Sequence, residues 1–541
     1  MEKSKTIHLE KPNILALFLT EKERMNIVSL KITGFVGSHD IEDVLDEMCY
    51  CHGMYDDDDN FIPDYEDSAA LRHLDMGEAT FVDGDNKCLP YFGYRTLLET
   101  FIFPQGITTV FETGFSDSDN LRTLVFPDGM KEVRDFENCD KLTGLVLPNS
   151  VEEIDSFTFA GCKALTSIRI PASVKIMDGS CFADCNITAY EVDENNPCFT
   201  AVDGVVYNKD LTTLVAFPSA YPHKHFKVPD TVRTIGFGAF MDSRIETIEL
   251  PTSLSVIEGW VFQGSKIRSV EIPDTVTEVG KLAFRWCYEL EHVRLSNRLT
   301  KIPSQMFSSC PNLKELDVPS SVKTIHYSAI AWSHGLERLY LHDGLEEIVD
   351  EGPLLGKSGP LHEVLFPKTL KKVPGGVFNY SPFLKKYQLD SGNPYFSLVG
   401  EALCSKDGKI LYSVPDNNRT EYTIPEGVVV IGKLAFYSLP NLEKVILPST
   451  LKKIEERAFQ GCDSLQKIAI PAGVEKVDIG ALWADNLKTV VMEGSVPPKM
   501  TGLVRDENEW RYRDVSLLVP QNAVEAYKEA SGWKCFKIVE K

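Results

Sequence analysis

Apolar residues recur along this chain at a fixed spacing. Leu165, Ile168 and Ile170 are followed by Pro171 and Val174; Ile267, Val270 and Ile272 by Pro273 and Val276; Leu465, Ile468 and Ile470 by Pro471 and Val474. The two apolar positions before each proline alternate with a third residue, the period of a strand with one buried face. Proline has no N–H to give to a sheet ladder, so it ends that strand. Further copies carry Pro104, Pro127, Pro148, Pro229, Pro251, Pro319, Pro367, Pro425 and Pro448, and Ser296 and His342 fill the proline position in two degenerate copies. The step between copies is about 21 to 25 residues, so each copy is expected to make one coil of a stacked array.

A second phrase follows each first one. It reads Ala239-Phe240, Ala283-Phe284, Ala435-Phe436 and Ala458-Phe459, with near-copies ending at Phe159, Phe182, Phe262, Phe307 and Phe378. Three residues past the Phe stands Cys139, Cys162, Cys185, Cys287, Cys310 or Cys462, or else Ser243, Ser265 or Ser381, with Leu439 as an exception. The Phe is expected to fill the gap between coils, each burial contributing about 1.5 to 3 kcal/mol. Cysteine that exchanges freely with serine is expected to be a small buried residue rather than a disulfide or metal ligand.

These phrases resemble the BspA-like leucine-rich repeats, whose pattern I-x-I-P-x-S-V-x-x-I-x-x-x-A-F-x-x-C is followed from Ile168 to Cys185 with Cys181 in place of the alanine. The resemblance runs from about Leu98 to Met492. The segment Ile27, Leu30, Ile32 and Gly34 resembles that family's N-terminal part, and Pro520 to Phe536 its C-terminal cap. The fold expected is a β-rich leucine-rich-repeat solenoid, curved, with a parallel sheet and short helical or turn segments, capped at both ends. The resemblance implies a surface or secreted protein linked to adhesion, including to host extracellular-matrix proteins, and implies no catalytic residues.

Along the chain, residues 1–96 are expected to form an N-terminal cap with a helix from Asp40 to Met48. Residues 97–492 form the solenoid and 493–541 a C-terminal cap, with a helix from Asn522 to Ala530 stopped by Gly532. Two matching inserts interrupt the array near 186–228 and 382–424. Asn196-Pro197 leads through Lys209-Asp210 to Pro218 in one, and Asn393-Pro394 through Lys406-Asp407 to Pro415 in the other. Each reads as a β-hairpin with a Lys-Asp turn, either padding the solenoid or forming the rim of a ligand site.

The residue between the two strand apolars faces the open side of the sheet. Down the array that column reads Val125, Val146, Arg169, Glu249, Glu271, Arg294, Asp317, Tyr340, Leu365, Ile446, Ala469 and Val491. The column two residues earlier adds Ser167, His292, Glu315, Arg338 and Glu363. Arg169, Glu249, Glu271, Arg294, Asp317, Arg338 and Tyr340 are the candidate partner-binding residues, since arginine and tyrosine anchor interfaces and solenoids bind on such faces. The plainer reading is a solvated face laced with cross-strand pairs.

Composition changes the picture by exclusion. A net charge of -23 repels phosphate backbones and anionic membrane surfaces, so no nucleic-acid partner is expected. No stretch approaches the about 20 apolar residues of a membrane span, and no signal peptide is visible near Met1. The free thiols and the missing signal also admit an intracellular interaction scaffold, and an enzyme with a site in the N-terminal cap is the remaining alternative. No cofactor or metal is expected. Asp56 to Asp59 with Asp64, Glu66 and Asp67 lack calcium-loop spacing and read as a solvated acidic loop. Cys49, Cys51 and His52 lack a second pair for zinc. Gly236-Phe237-Gly238 reads as a repeat turn, not a phosphate loop. Asn186, Asn379 and Asn418 head glycosylation sequons.

Overall fold

The strand-and-proline phrase builds its own strand and its own turn. In the computed structural model, which describes residues 3–49, 53–55, 61–63, 70–83, 88–89, 97–110, 115–349, 354, 359–416, 418–478, 480–502 and 512–541, the phrase repeats as coils of a parallel-sheet β-solenoid. The carbonyl at the proline position accepts from the backbone N–H three residues on, as in Val151 to Pro148 at 3.1 Å and Val232 to Pro229 at 3.0 Å. Ser296 and His342 offer the same carbonyl to Leu299 and Leu345, which is why these positions tolerate the loss of proline. The chain divides into two compact units, Met1–Ile267 and Arg268–Lys541.

In the first unit, strands Ser4–Leu9, Ser29–Val36, His73–Phe81, Thr100–Ile102, Thr123–Val125 and Gly144–Val146 pair in parallel. Leu30 lies beside Leu74, Leu74 beside Phe101 and Phe101 beside Leu124, so equivalent apolar side chains stack coil upon coil in the core. The strands Ser29–Val36 and His73–Phe81 pair in parallel with a register irregularity between Lys31 and Thr33. Ser4–Leu9 is an additional parallel strand in register with them, Ile7 beside Ile32, that the sequence reading did not identify. The expected helix is longer than Asp40 to Met48: it runs from Ser38 to Cys49 with a π-helical stretch at Ile41–Leu45. The buried Asp40 carboxylate accepts from the N–H groups of Asn13, Leu15 and Gly37 at 2.7 to 2.9 Å, tying the helix start to the first turn.

The Ala-Phe phrase makes the opposite turn. Phe115, Phe136, Phe159 and Phe182 stack face to face with centroids 5.4, 5.5 and 5.4 Å apart. In the second unit Phe284 stacks on Phe307 at 5.4 Å and Phe436 on Phe459 at 5.1 Å. The cysteine that follows is more than a small apolar filler. Cys139, Cys162 and Cys185 donate to the carbonyls of Phe115, Phe136 and Phe159 one coil earlier at 3.3, 3.2 and 3.1 Å. Ser333 gives the same bond to Phe307 at 2.7 Å. At these four positions the ladder uses a small donor, so thiol and hydroxyl can interchange there, although the Ser243 hydroxyl at the equivalent place finds no partner and Leu439 has no donor. Burial raises the thiols of Cys185 and Cys310 well above their ordinary value, so they remain protonated donors.

The two inserts differ from the expected hairpins. Each is a three-stranded antiparallel meander: Phe199–Val202, Val205–Asn208 and Thr213–Ala216 in the first unit, and Phe396–Val399, Ala402–Ser405 and Ile410–Ser413 in the second. Asp203-Gly204, at φ +49° and +78°, supplies the tight first turn, a left-handed pair that suits hairpin twist; Lys209-Asp210 lies in the second. The last strand re-enters the solenoid in parallel, Thr213 beside Thr234 and Ile410 beside Val430. One buried asparagine fastens each meander. Asn196 gives both amide hydrogens to Pro171 and Val174 carbonyls and accepts from the N–H groups of Cys198 and Phe199. Asn393 repeats all four bonds with Pro367, Leu370, Tyr395 and Phe396.

At the C-terminus, Ser516–Val519 and Lys537–Glu540 add two more parallel strands. The helix is shorter than expected, Val524–Glu529 after a 3-10 turn at Gln521–Ala523. Gly532, at φ +82°, turns the chain so that Trp533 is buried and donates its indole N–H to Pro498 at 2.7 Å.

Candidate binding face

Most first-sheet strands bury their Leu and Ile positions and turn the residue between them to solvent, but Val491, expected on that open side, is buried because the next strand, Ser516–Val519, pairs beside it. In the first unit this places Val125 and Val146 on the outward face, the latter 78% exposed. Arg169 is also outward and pairs with Asp193 at 2.9 Å. Glu249 lies 3.3 Å from His225. Asp193 is held below its ordinary value, first by the N–H of Asn195 and also by Arg169.

In the second unit the outward column runs Glu271, Arg294, Asp317 and Tyr340, then Leu365, Ile446 and Ala469. Most of its charges are matched. The Arg294 guanidinium contacts both carboxylate oxygens of Asp274 at 3.1 and 3.0 Å, turning away from its register partner Glu271. Asp317 meets His342 at 2.6 Å, and Arg338 meets Glu315 at 2.7 Å on the adjacent strand. That contact raises Arg338 above its ordinary value. Glu363 and Lys386 pair at 2.8 Å, holding Glu363 low. Tyr340 stands 42% exposed beside Asp317. The candidate residues therefore lie on the expected face, but five of them form exposed pairs and the other two, Glu271 and Tyr340, lie beside paired residues; such pairs are worth about 0 to 1 kcal/mol each. The cross-strand lacing expected of a solvated face is present.

Two hollows mark the second unit's face. One, of about 780 Å³, is polar and lined by Arg294, Asn297, Asp317, Ser320, His342 and Asp343. The other, of about 740 Å³, is a largely apolar trough. Ile446 and Ala469 line it, with Pro471, Ala472 and Gly473 beside them and Lys444, Lys467, Glu426 and Glu493 among the charges around. The trough lies outside the residues selected from sequence, which favoured charged anchors; Ile446 and Ala469, adjacent in the outward column, were its signal.

The remaining chemistry is limited. Among the described residues no group of three or more His, Cys, Asp or Glu is arranged to hold a metal, and no helix is long and apolar enough to cross a membrane. Cys49 is buried, which raises its thiol well above the ordinary value; Cys51, His52, Asp56 to Asp59, Asp64, Glu66 and Asp67 lie outside the described residues. Gly238, at φ +62°, packs its backbone on Ser180 in a repeat turn. Of the sequons, Asn379 is fully buried, Asn186 is bonded to Lys163 and Arg244, and Asn418 is exposed.

The comparisons agree with this geometry. No curated protein matches the chain. A leucine-rich repeat protein from Eubacterium ventriosum shares the fold, with a TM-score of 0.50 at 17% identity, covering 74% of this chain and 95% of its own. A leucine rich cell surface protein from Faecalibacterium prausnitzii has a TM-score of 0.45 at 18% identity, with coverages of 64% and 94%. Leucine-rich repeat families of this kind are typically scaffolds for protein interaction rather than enzymes. The profile described as the BspA type Leucine rich repeat region matches in six copies over residues 90–200, 215–337 and 414–498, and the chain belongs to that family.

Proposed function

We propose that this protein is a non-catalytic scaffold that binds a protein partner through the outward face of its parallel sheet, in an adhesive role. The observation that carries the reading is the apolar trough of about 740 Å³ at Ile446 and Ala469, bordered by the paired charges of the neighbouring strands. Ile446 is 46% exposed in a strand whose inward residues are fully committed to the core. An apolar centre with a polar rim is the anatomy of a protein interface. Glu426, Glu443, Lys444, Lys467 and Glu493 supply the charged rim and select the partner by charge; Glu271, Arg294, Asp317, Arg338 and Tyr340 offer further contacts on the second unit's face, and Arg169 and Glu249 on the first unit's own face. The family supports the scaffold reading, with host extracellular-matrix proteins as one partner class for the adhesive role.

The test is capture of soluble matrix proteins by the intact chain, beside Ile446→Asp and Arg338→Glu. A matrix partner held by the wild type and lost by Ile446→Asp supports the reading. A partner held equally by all three moves the interface off the sheet.

A further inference from the structure

The six-stranded sheet of the first unit ends on Ser4–Leu9, and among the described residues no strand pairs with the outer edge of that strand. The polarity of the edge follows from its one neighbour. The carbonyl of Lys3 accepts from the N–H of Ser29 at 3.0 Å, and backbone groups alternate sides along a strand. Lys5, Ile7 and Leu9 therefore turn their backbone groups toward Ser29–Val36. Ser4, Thr6 and His8 aim their N–H and C=O outward, and all three residues are exposed.

A free edge is ordinarily blunted by a proline, a bulge, a charged side chain along it or a covering segment. Ser4–Leu9 contains neither proline nor glycine and pairs with Ser29–Val36 residue for residue, without a bulge. Its one lysine is drawn away from the edge: Lys5 Nζ donates to Glu23 at 2.6 Å and to the Phe18 carbonyl at 2.8 Å. The same end coil carries exposed apolar side chains, Leu17 at 81% with Phe18 and Met25. An unprotected edge in a coil with exposed apolar surface is the signature of a pairing surface.

The strand's own sequence identifies what fits. Laid antiparallel on a second copy about a two-fold axis at Thr6, it sets Thr6 opposite Thr6, Ser4 opposite His8, Lys5 opposite Ile7 and Lys3 opposite Leu9. All three outward residues then meet as hydrogen-bonded pairs, Thr6 with its copy and Ser4 with His8 on either side. Threonine facing threonine is a favourable cross-strand pair, and no lysine faces a lysine. Sliding the axis to Lys5 would oppose two lysines, and sliding it to Ile7 would leave Ser4 without a partner in the strand.

We infer that Ser4–Leu9 is a dimerisation edge: two copies of this chain join antiparallel about Thr6 and merge their first-unit sheets. A two-fold contact of this kind uses the same strand on both copies and closes after two. It leaves the outward face of the sheet free for a partner, so it goes beyond the scaffold reading and does not depend on it.

Sedimentation of the full chain at high micromolar concentration should show a dimer that dissociates on dilution. Thr6→Lys opposes two charges at the axis and should weaken association at least about tenfold, while Thr6→Val keeps a strand-forming residue and should not. Thr6 is exposed in the single chain, so Thr6→Lys should leave the thermal midpoint of the dilute protein unchanged. Under mild oxidation Thr6→Cys should cross-link at least about tenfold faster than Ser4→Cys, whose copy lies too far along the pair to be bridged. Ile446→Asp should dimerise as the wild type does. A monomer at every concentration, a dimer that survives Thr6→Lys, a lowered midpoint in that variant or equal cross-linking by the two cysteine variants would each overturn the assignment. So would a mixture of Ser4→Cys and Val539→Cys that cross-links faster than Thr6→Cys, which would mean that copies stack head to tail.

Discussion

The thiol of Cys310 donates to the carbonyl of Phe284, 3.0 Å away on the preceding coil. The bond satisfies an acceptor inside the core and fixes how far apart the coils stand. Cys310→Ser keeps a donor and should cost less than about 1 kcal/mol, whereas Cys310→Val leaves the carbonyl unmet and should cost about 1 to 3 kcal/mol. Urea unfolding of the two variants checks the order; equal losses would mean that only size matters at this position.

Phe159 stacks on Phe136 and on Phe182, with centroids 5.5 and 5.4 Å away, and is fully buried. Phe159→Ala should cost about 3 to 5 kcal/mol, from lost burial and the cavity left between coils. The denaturant midpoint reads this, and a loss below about 1 kcal/mol would contradict the stack as a core element.

Asn393 makes four hydrogen bonds at the entry to the second meander. Asn393→Asp loses both donors while bringing a charge into a buried site, and should cost at least about 2 kcal/mol. Amide exchange at Tyr395 and Phe396 should accelerate by more than tenfold in Asn393→Ala. Unchanged protection would show that the backbone holds the meander without the side chain.

Two carboxyls give the protein a specific acid profile. Burial raises Asp416 and Asp242 from 3.8 to about 6. Each stays protonated in the folded chain while it ionises in the unfolded one, so its contribution is full below about pH 4 and is lost as the pH rises through about 6. Glu152 is lowered to about 2, first by Lys131 and then by Lys175, so its contribution is present above its unfolded value of 4.5 and is lost as the pH falls toward 2. Between pH 4 and 6 stability should therefore fall with rising pH, and Asp416→Asn should flatten that slope. Midpoints that rise through this window in the wild type would sink the account.

The coils were legible in the sequence because most impose the same demand: two inward apolar residues, a carbonyl at the proline position, a Phe and a small residue three places on. Ser4–Leu9 escaped because no proline closes it, although Ile7 and Leu9 alternate as a strand should. The first meander turn was announced by Asp203-Gly204, a strong hairpin signal that the larger Lys-Asp match obscured. The left-handed positions share no residue type, since Asp117, Gly161, Trp286 and Tyr380 all occupy one of them; coil closure overrides local preference there. The ion pairs of the face could have been read by aligning repeats, because Glu315 and Arg338 hold the same place on adjacent coils. The apolar floor of the trough was signalled by Ile446 and Ala469 in the outward column, but its depth was not, since Ala472 and Gly473 shape it by what they lack.

Gly179 donates its N–H to Phe237 at 3.0 Å, and its missing side chain leaves room for the backbone of Ala239. Two turns that the chain visits some sixty residues apart are thus immediate neighbours, and the meander between them is a detour from which the chain returns to its place in the stack. Distance along the chain and distance along the stack are uncoupled at that point. A foreign peptide carried at Asp210, exposed in the second meander turn, would lengthen the detour without shifting any later coil, which makes this bend a natural socket for grafted sequence.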